Sequence, residues 1–127
     1  MIFDDGSEYI ELAVLLTREG AYGTHQDAKL RSAISRAYYA AFLRARYYLT
    51  YKARDLSVPR DGAAHTYVRE KFRSTSDTVR QEIWQGLDDL RKARNQADYW
   101  ANYMVSSNNV NILVIQARHT ILLIDSL

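Results

Sequence analysis

Arg91-Lys-Ala-Arg-Asn-Gln-Ala-Asp-Tyr-Trp100 is the stretch on which the reading of the fold turns. Counting about 100° per residue from Ile83, the side chains of Leu87, Leu90, Ala97 and Ala101 fall within roughly 40° of one line, the apolar stripe of an amphipathic helix. Arg94 lies near the middle of that stripe, and Asp98 follows one turn later. A guanidinium is rarely buried without a partner. A cation in a core stripe is therefore either half of a structural ion pair or a charge kept in a crevice for chemistry.

The same period runs through the rest of the chain, which has one proline and no useful length of strand-like alternation, so the class is all-α. Five helices are expected. The first covers Glu8 to Arg18 and ends in the turn Gly20-Ala-Tyr-Gly23, with Thr24 or Asp27 available to cap the next. The second runs from Ala28 to Tyr51. Its main stripe is Leu30, Ile34, Tyr38, Ala41, Ala45, Tyr48 and Leu49, and Tyr39, Leu43 and Tyr47 form a second strip, so it needs two neighbours. Pro59 and Asp61-Gly62 make Lys52 to Ala64 a connector. A short helix from His65 to Phe72 follows, then a capping box of Thr78 and Gln81 opening the Arg94 helix, which should end near Met104. Val110 to Leu127 is apolar almost all round, as in a helix at the core or shared between subunits.

Residues 1–127 read as a single domain, with enough apolar residues (47%) to bury a core. The absence of cysteine excludes disulfides and thiolate metal sites, and a cytoplasmic location is the expectation. No basic region precedes an apolar run at the N-terminus, and no apolar run is long enough to span a bilayer, so neither secretion nor membrane insertion is expected. Charge is uneven. Residues 1–19 carry five acids and one arginine, whereas Lys29 to Arg60 holds eight Lys or Arg and one acid, Asp55. That basic stretch also holds Tyr38, Tyr39, Tyr47, Tyr48 and Tyr51, and cations interleaved with aromatics suit single-stranded nucleic acid. Polyanion binding there would depend on Arg31, Arg36, Arg44 and Arg46. The plainer reading is a solvated helix face with tyrosines as packing. His25, His65 and His119 have no ligand partners at helical spacing, there is no glycine-rich phosphate loop, and neither metal nor cofactor is expected.

Three segments in order carry a resemblance: Ser35-Arg36-Ala-Tyr38-Tyr39-Ala-Ala-Phe42; His65 opening a short helix with Val68 and Phe72; and Arg94-Asn95-Gln-Ala-Asp98-Tyr99. Together they resemble HEPN domains, and more narrowly the small stand-alone HEPN proteins of bacteria and archaea, over residues 7–125. The resemblance implies a four- to five-helix up-and-down bundle that forms a homodimer or higher oligomer, with the fourth helices of two subunits facing each other across a cleft. It also implies a toxin–antitoxin or antiphage defence setting and metal-independent ribonuclease chemistry. The family motif is Arg, a polar residue, then His four to six residues after the Arg. Arg94 and Asn95 match its front half, but position 99 is Tyr99, as in a subgroup ending Ala-Asp-Tyr.

In the nuclease reading Arg94 binds the scissile phosphate, Asp98 is the base, and Tyr99 is an acid or phosphate donor, a poor one near neutrality with an ordinary pKa near 10. Arg91, Arg36 and Tyr39 would line the cleft, and His65 would be a helix-start residue that hydrogen-bonds locally. The rival is a non-catalytic HEPN subunit that regulates a nucleotidyltransferase or other effector; the missing histidine favours it. In that case Arg94 and Asp98 are simply an i, i+4 pair.

Overall fold

The computed structural model describes residues 2–127. It is all-helical, with no strand among the described residues: α1 (Ser7–Gly20), α2 (Gln26–Tyr47), α3 (Ala64–Arg73), α4 (Thr78–Tyr99) and α5 (Ser107–Asp125). The turn Tyr48–Lys52 continues α2 as a π-helical turn, closed by Ala53 N–H donating to the Tyr48 carbonyl at 2.9 Å. The five expected helices are all present. Their ends differ where capping was misjudged. Neither Thr24 nor Asp27 caps α2; His25 holds that position in a left-handed conformation (φ 57°). Asp77, rather than Thr78, caps α4 by accepting from Val79 N–H, and the Gln81 amide donates to the Thr75 carbonyl instead of closing a box. α4 stops at Tyr99, five residues early, and Ala101 lies exposed in the turn beyond it. α5 begins at Ser107, three residues before the expected Val110, and Ser106 caps it by accepting from Asn109 N–H.

Side-chain bonds reveal the direction of each helix. Arg44, late in α2, reaches the Asp5 carbonyl just before α1 and Asp125 at the end of α5. Arg31, early in α2, reaches carbonyls at the end of α4. Gln116 and His119 of α5 reach back to Asp89 and Glu82 of α4. Thus α1 and α4 run one way and α2 and α5 the other, an up-and-down four-helix arrangement with short α3 packed against α2 and α4.

At the centre lies α2, packed by α1, α4 and α5. Fully buried Ala33, Ala37, Ala40, Ala41 and Ala45 let those neighbours approach closely, while Leu30, Ile34, Tyr38, Phe42 and Leu43 fill the space between. Two glycines enable close approach elsewhere. A Cβ on Gly6, at φ 82°, would run into the Ala40 carbonyl oxygen, and one on Gly86 in α4 would strike the Thr120 hydroxyl of α5. The other four helices cover the apolar face of α2, leaving Gln26, Asp27, Ala28 and Ser32 near its start exposed. On α5, Val110, Val114, Ala117, Ile121 and Ile124 are buried, but Ile112, Ile115 and Leu122 are more than half exposed.

Candidate functional site

Arg94 stands at the border of the buried face of α4. Ala93 and Ala97 occupy the inner line, and the Arg94 side chain, 26% exposed, leans toward α2. Its guanidinium carbon lies 5.3 Å from the centre of the Tyr38 ring, a cation–π contact. Nη1 is 3.7 Å from Asp98 Oδ2, close enough for an ion pair and too far for a hydrogen bond. Nε is buried with no hydrogen-bond partner. A guanidinium carries five N–H donors, and such donors are costly to bury unused.

Beside it is a cavity of about 160 Å³, lined by Ser35, Arg36, Tyr38 and Tyr39 of α2, His65 of α3 and Arg94 of α4. Helical spacing brings Ser35, Arg36, Tyr38 and Tyr39 to one side of α2, and Tyr39 is braced edge-on against Tyr9 of α1 at 5.0 Å between ring centres. Arg36 lies 5.9 Å over the Tyr9 ring and, among the described residues, has no carboxylate within 4.0 Å. His65 is clamped in place. Its ring stacks on Phe42 at 4.0 Å, and its Nδ1 is 2.7 Å from the Tyr38 hydroxyl. Burial pushes His65 below the ordinary histidine range, helped by the charges of Arg94, Arg69 and Arg46. Burial likewise raises Tyr38, against the opposing pull of Arg69, Arg94 and Arg91, so its hydroxyl stays protonated. Two arginines, a neutral imidazole and hydroxyl groups line the cavity, and no carboxylate does.

Of the residues expected at the site, Arg94, Arg36 and Tyr39 come together here. Asp98 lies next door. It lines a neighbouring hollow with Asp27, Arg31, Tyr99 and Trp100, and Ser35 Oγ, 3.5 Å from Asp98 Oδ2, connects the two. Asn95 faces a third hollow with Lys92 and Gln96, and Tyr99 is largely exposed at the end of α4. The reason is geometric: at about 100° per residue, positions 95 and 99 point roughly 100° and 140° away from Arg94, whereas 98 is within roughly 40°. Arg91 pairs with Asp88 at 2.9 Å, and Arg91 and Lys92 hold that buried carboxyl below its usual range against the cost of burial.

Of the four arginines expected on a basic RNA-binding helix, Arg31 and Arg44 are hydrogen-bonded within the fold, and Arg46 is packed between rings with its Nε buried and unpaired. Arg31 Nε donates to Asp27, and its two terminal nitrogens donate to the carbonyls of Ala97, Trp100, Ala101 and Tyr103. Arg44 bonds Asp125, the Asp5 carbonyl and Ser7. Arg46 lies between the Phe3 and Phe42 rings, 4.0 and 5.4 Å from their centres, and burial lowers its basicity. Of that group, Arg36 alone lines the Arg94 cavity.

His65 is the residue that sequence reasoning undervalued. Its bond is to Tyr38, 27 positions away, rather than to a local group. Arg69, one turn beyond it on α3, adds a further cation near Tyr38. A signal existed in the sequence, since Tyr38 and His65 both fall in the segments that carry the HEPN resemblance, but nothing in their spacing shows that they meet. Among the described residues, no three His, Asp or Glu side chains gather as metal ligands, and no helix is long and apolar enough to cross a membrane.

No family model matches this chain, and no solved structure does. It is similar to an uncharacterized protein of Methanocaldococcus jannaschii, 31% identical over 97 residues, which is 66% of this chain and 55% of the relative. The chain spans about half the length of the curated relative it matches.

Proposed function

We propose that this protein is a HEPN-like component of a prokaryotic toxin–antitoxin or antiphage defence module, binding a phosphate of RNA or of a nucleotide in the Arg94 cavity. One observation carries the reading: the Arg94 guanidinium is held in a half-buried cavity with its Nε unpaired and no carboxylate within hydrogen-bonding distance, beside a second unpaired arginine, Arg36. A largely covered guanidinium with an idle buried donor and only a loose ion pair is costly, and an incoming phosphate relieves that cost with charge-assisted, bidentate hydrogen bonds. RNA cleavage is the chemistry that the HEPN resemblance adds. Arg94 would stabilise the charge that builds on the phosphate, and Asp98, on the rim, would take the 2′-hydroxyl proton with no metal required.

Titration of the protein with labelled single-stranded RNA at two salt concentrations tests the reading. Binding should weaken as salt rises and be lost in Arg94→Ala and Arg36→Ala. Binding equal in wild type and both variants overturns it. Growth and total RNA followed on expression with and without Arg94→Ala then separate a nuclease from a binder.

The second reading, a non-catalytic HEPN subunit that regulates a nucleotidyltransferase or other effector, is favoured by the exposed Ile112, Ile115 and Leu122 of α5. That strip suits a second copy or a partner chain, and α5 contributes nothing to the Arg94 cavity. A dimer formed through it would leave each cavity to work within its own subunit. Light scattering at ~10–50 µM showing a monomer would remove the homodimer and leave the strip to a different chain.

A further inference from the structure

The hydrogen-bond pattern around His65 determines which face of its ring meets the cavity. Nδ1 is taken by the Tyr38 hydroxyl at 2.7 Å. Among the described residues the Tyr38 hydroxyl has no other hydrogen-bond partner, and burial keeps it protonated. With no carbonyl or carboxylate to take it, its single proton is left for Nδ1. A neutral imidazole that accepts at Nδ1 carries its own proton on Nε2. Nε2 has no partner among the described residues and is not one of the fully buried unpaired atoms, so it remains reachable. His65 thus turns an N–H donor, not a base, toward the cavity that Arg36 and Arg94 line.

The size of the cavity indicates what it holds. About 160 Å³ is smaller than the roughly 300–1,000 Å³ of sites that enclose a whole small molecule, yet ample for a single phosphoryl group. Side chains from α2, α3 and α4 line it, and its mouth opens to solvent, so a phosphoryl group can enter with the rest of its chain outside. Its charge favours a dianion. We propose that the cavity receives the terminal phosphate of a nucleotide or RNA chain, with His65 Nε2–H completing the Arg36–Arg94 clamp and the imidazole taking up a proton as the phosphate enters. The proposal rests on the phosphate-binding reading above. Its proton balance is simple: one proton from solvent binds Nδ1, which then donates to the Tyr38 oxygen, and the Tyr38 hydrogen turns to a phosphate oxygen.

Two charge relations determine the pH dependence. In the free protein His65 is held neutral by burial and by Arg94 of α4, Arg69 of α3 and Arg46 of α2; Tyr38 and Arg36 of α2 complete its polar surroundings. A bound dianion reverses the sign of the local field and raises the imidazole's proton affinity. Anion affinity therefore rises as pH falls between the bound-state and free-state pKa values, by at most about tenfold per unit for one linked proton.

Sulfate is the probe for this linkage because it stays a dianion throughout the range. Calorimetric titration from pH 7.5 to 5.5 should show wild-type affinity rising about tenfold, while His65→Gln, which keeps an N–H donor but cannot titrate, stays within about twofold. Tyr38→Phe should weaken binding and shrink the slope. At pH 7.5 the imidazole nitrogen spectrum of the free protein should show Nε2 protonated and Nδ1 bare. AMP should bind at least about tenfold tighter than a dinucleotide without terminal phosphate. An equal slope in His65→Gln, the opposite tautomer, or equal affinity for the dinucleotide overturns this proposal while leaving phosphate binding intact. Sulfate and AMP binding that is unaffected by Arg94→Ala overturns the underlying reading instead.

Discussion

Arg31 and Arg94 sit on facing helices at the same end of the bundle, and both are about three-quarters or more covered by protein. Their donors have opposite fates. Arg31 makes five hydrogen bonds, four of them to the backbone carbonyls of Ala97, Trp100, Ala101 and Tyr103, and so caps the exposed end of α4. Arg94, three residues before the first of those carbonyls, makes only a loose ion pair at 3.7 Å. A guanidinium with every N–H engaged is a joint; one held in a cavity with donors idle is a hand kept open. The comparison also explains why the basic stretch of α2 is a poor guide to nucleic-acid contact, since a positive charge on a sequence says nothing about whether its hydrogen bonds are already made.

The largest expected effect is on the joint. Arg31→Ala should lower unfolding free energy by about 3 kcal/mol, because it orphans several helix-end carbonyls at once. Arg31→Lys should recover little, since a point charge cannot span four carbonyls. Urea denaturation measures both, and a loss below about 1 kcal/mol would break the distinction between the two arginines.

At Arg94 the same substitution should alter stability by no more than about 1 kcal/mol in either direction, with RNA binding lost. A loss near 3 kcal/mol, largely restored by Arg94→Met, would make Arg94 a second joint and favour the structural pair.

His65 sharpens the contrast through pH. Its pKa is depressed in the folded state, so the unfolded chain binds this proton more readily. The associated stability is present above the unfolded value of about 6.5 and is lost as pH falls from there toward the folded value. Wild type should therefore lose more stability than His65→Gln between pH 7.5 and 5.5. Parallel curves would mean that the imidazole is free to charge.

The smallest effect belongs to Asp98→Asn, which should change stability by only a few tenths of a kcal/mol, since the ion pair is long and partly exposed. If Asp98 is the base for RNA cleavage, that variant keeps phosphate binding and loses turnover.

The number and placement of the helices were legible because periodicity is a local property: Ile83, Leu87 and Leu90 line one face wherever the chain goes. Helix ends were less so. Asp77 competes with Thr78 at the start of α4, and Thr24 with Asp27 at the start of α2, and the choice falls to whichever geometry the neighbouring turn allows. Arg94 stood out in the sequence because it interrupts an apolar stripe. Asn95 and Tyr99 were grouped with it by adjacency, and the helical rotation sends them elsewhere.

By itself, then, the sequence determined an all-helical chain, a long second helix needing two neighbours, and one arginine out of place. Tertiary structure alone decided that Arg31 is saturated by carbonyls from residues 97–103, that Tyr38 and His65 meet across 27 positions, and that Arg36 faces Arg94. The physical reason is that backbone carbonyls carry no side-chain signature and that hydrogen bonds depend on distances of a few tenths of an ångström. Such distances are set only when α2, α3 and α4 pack together.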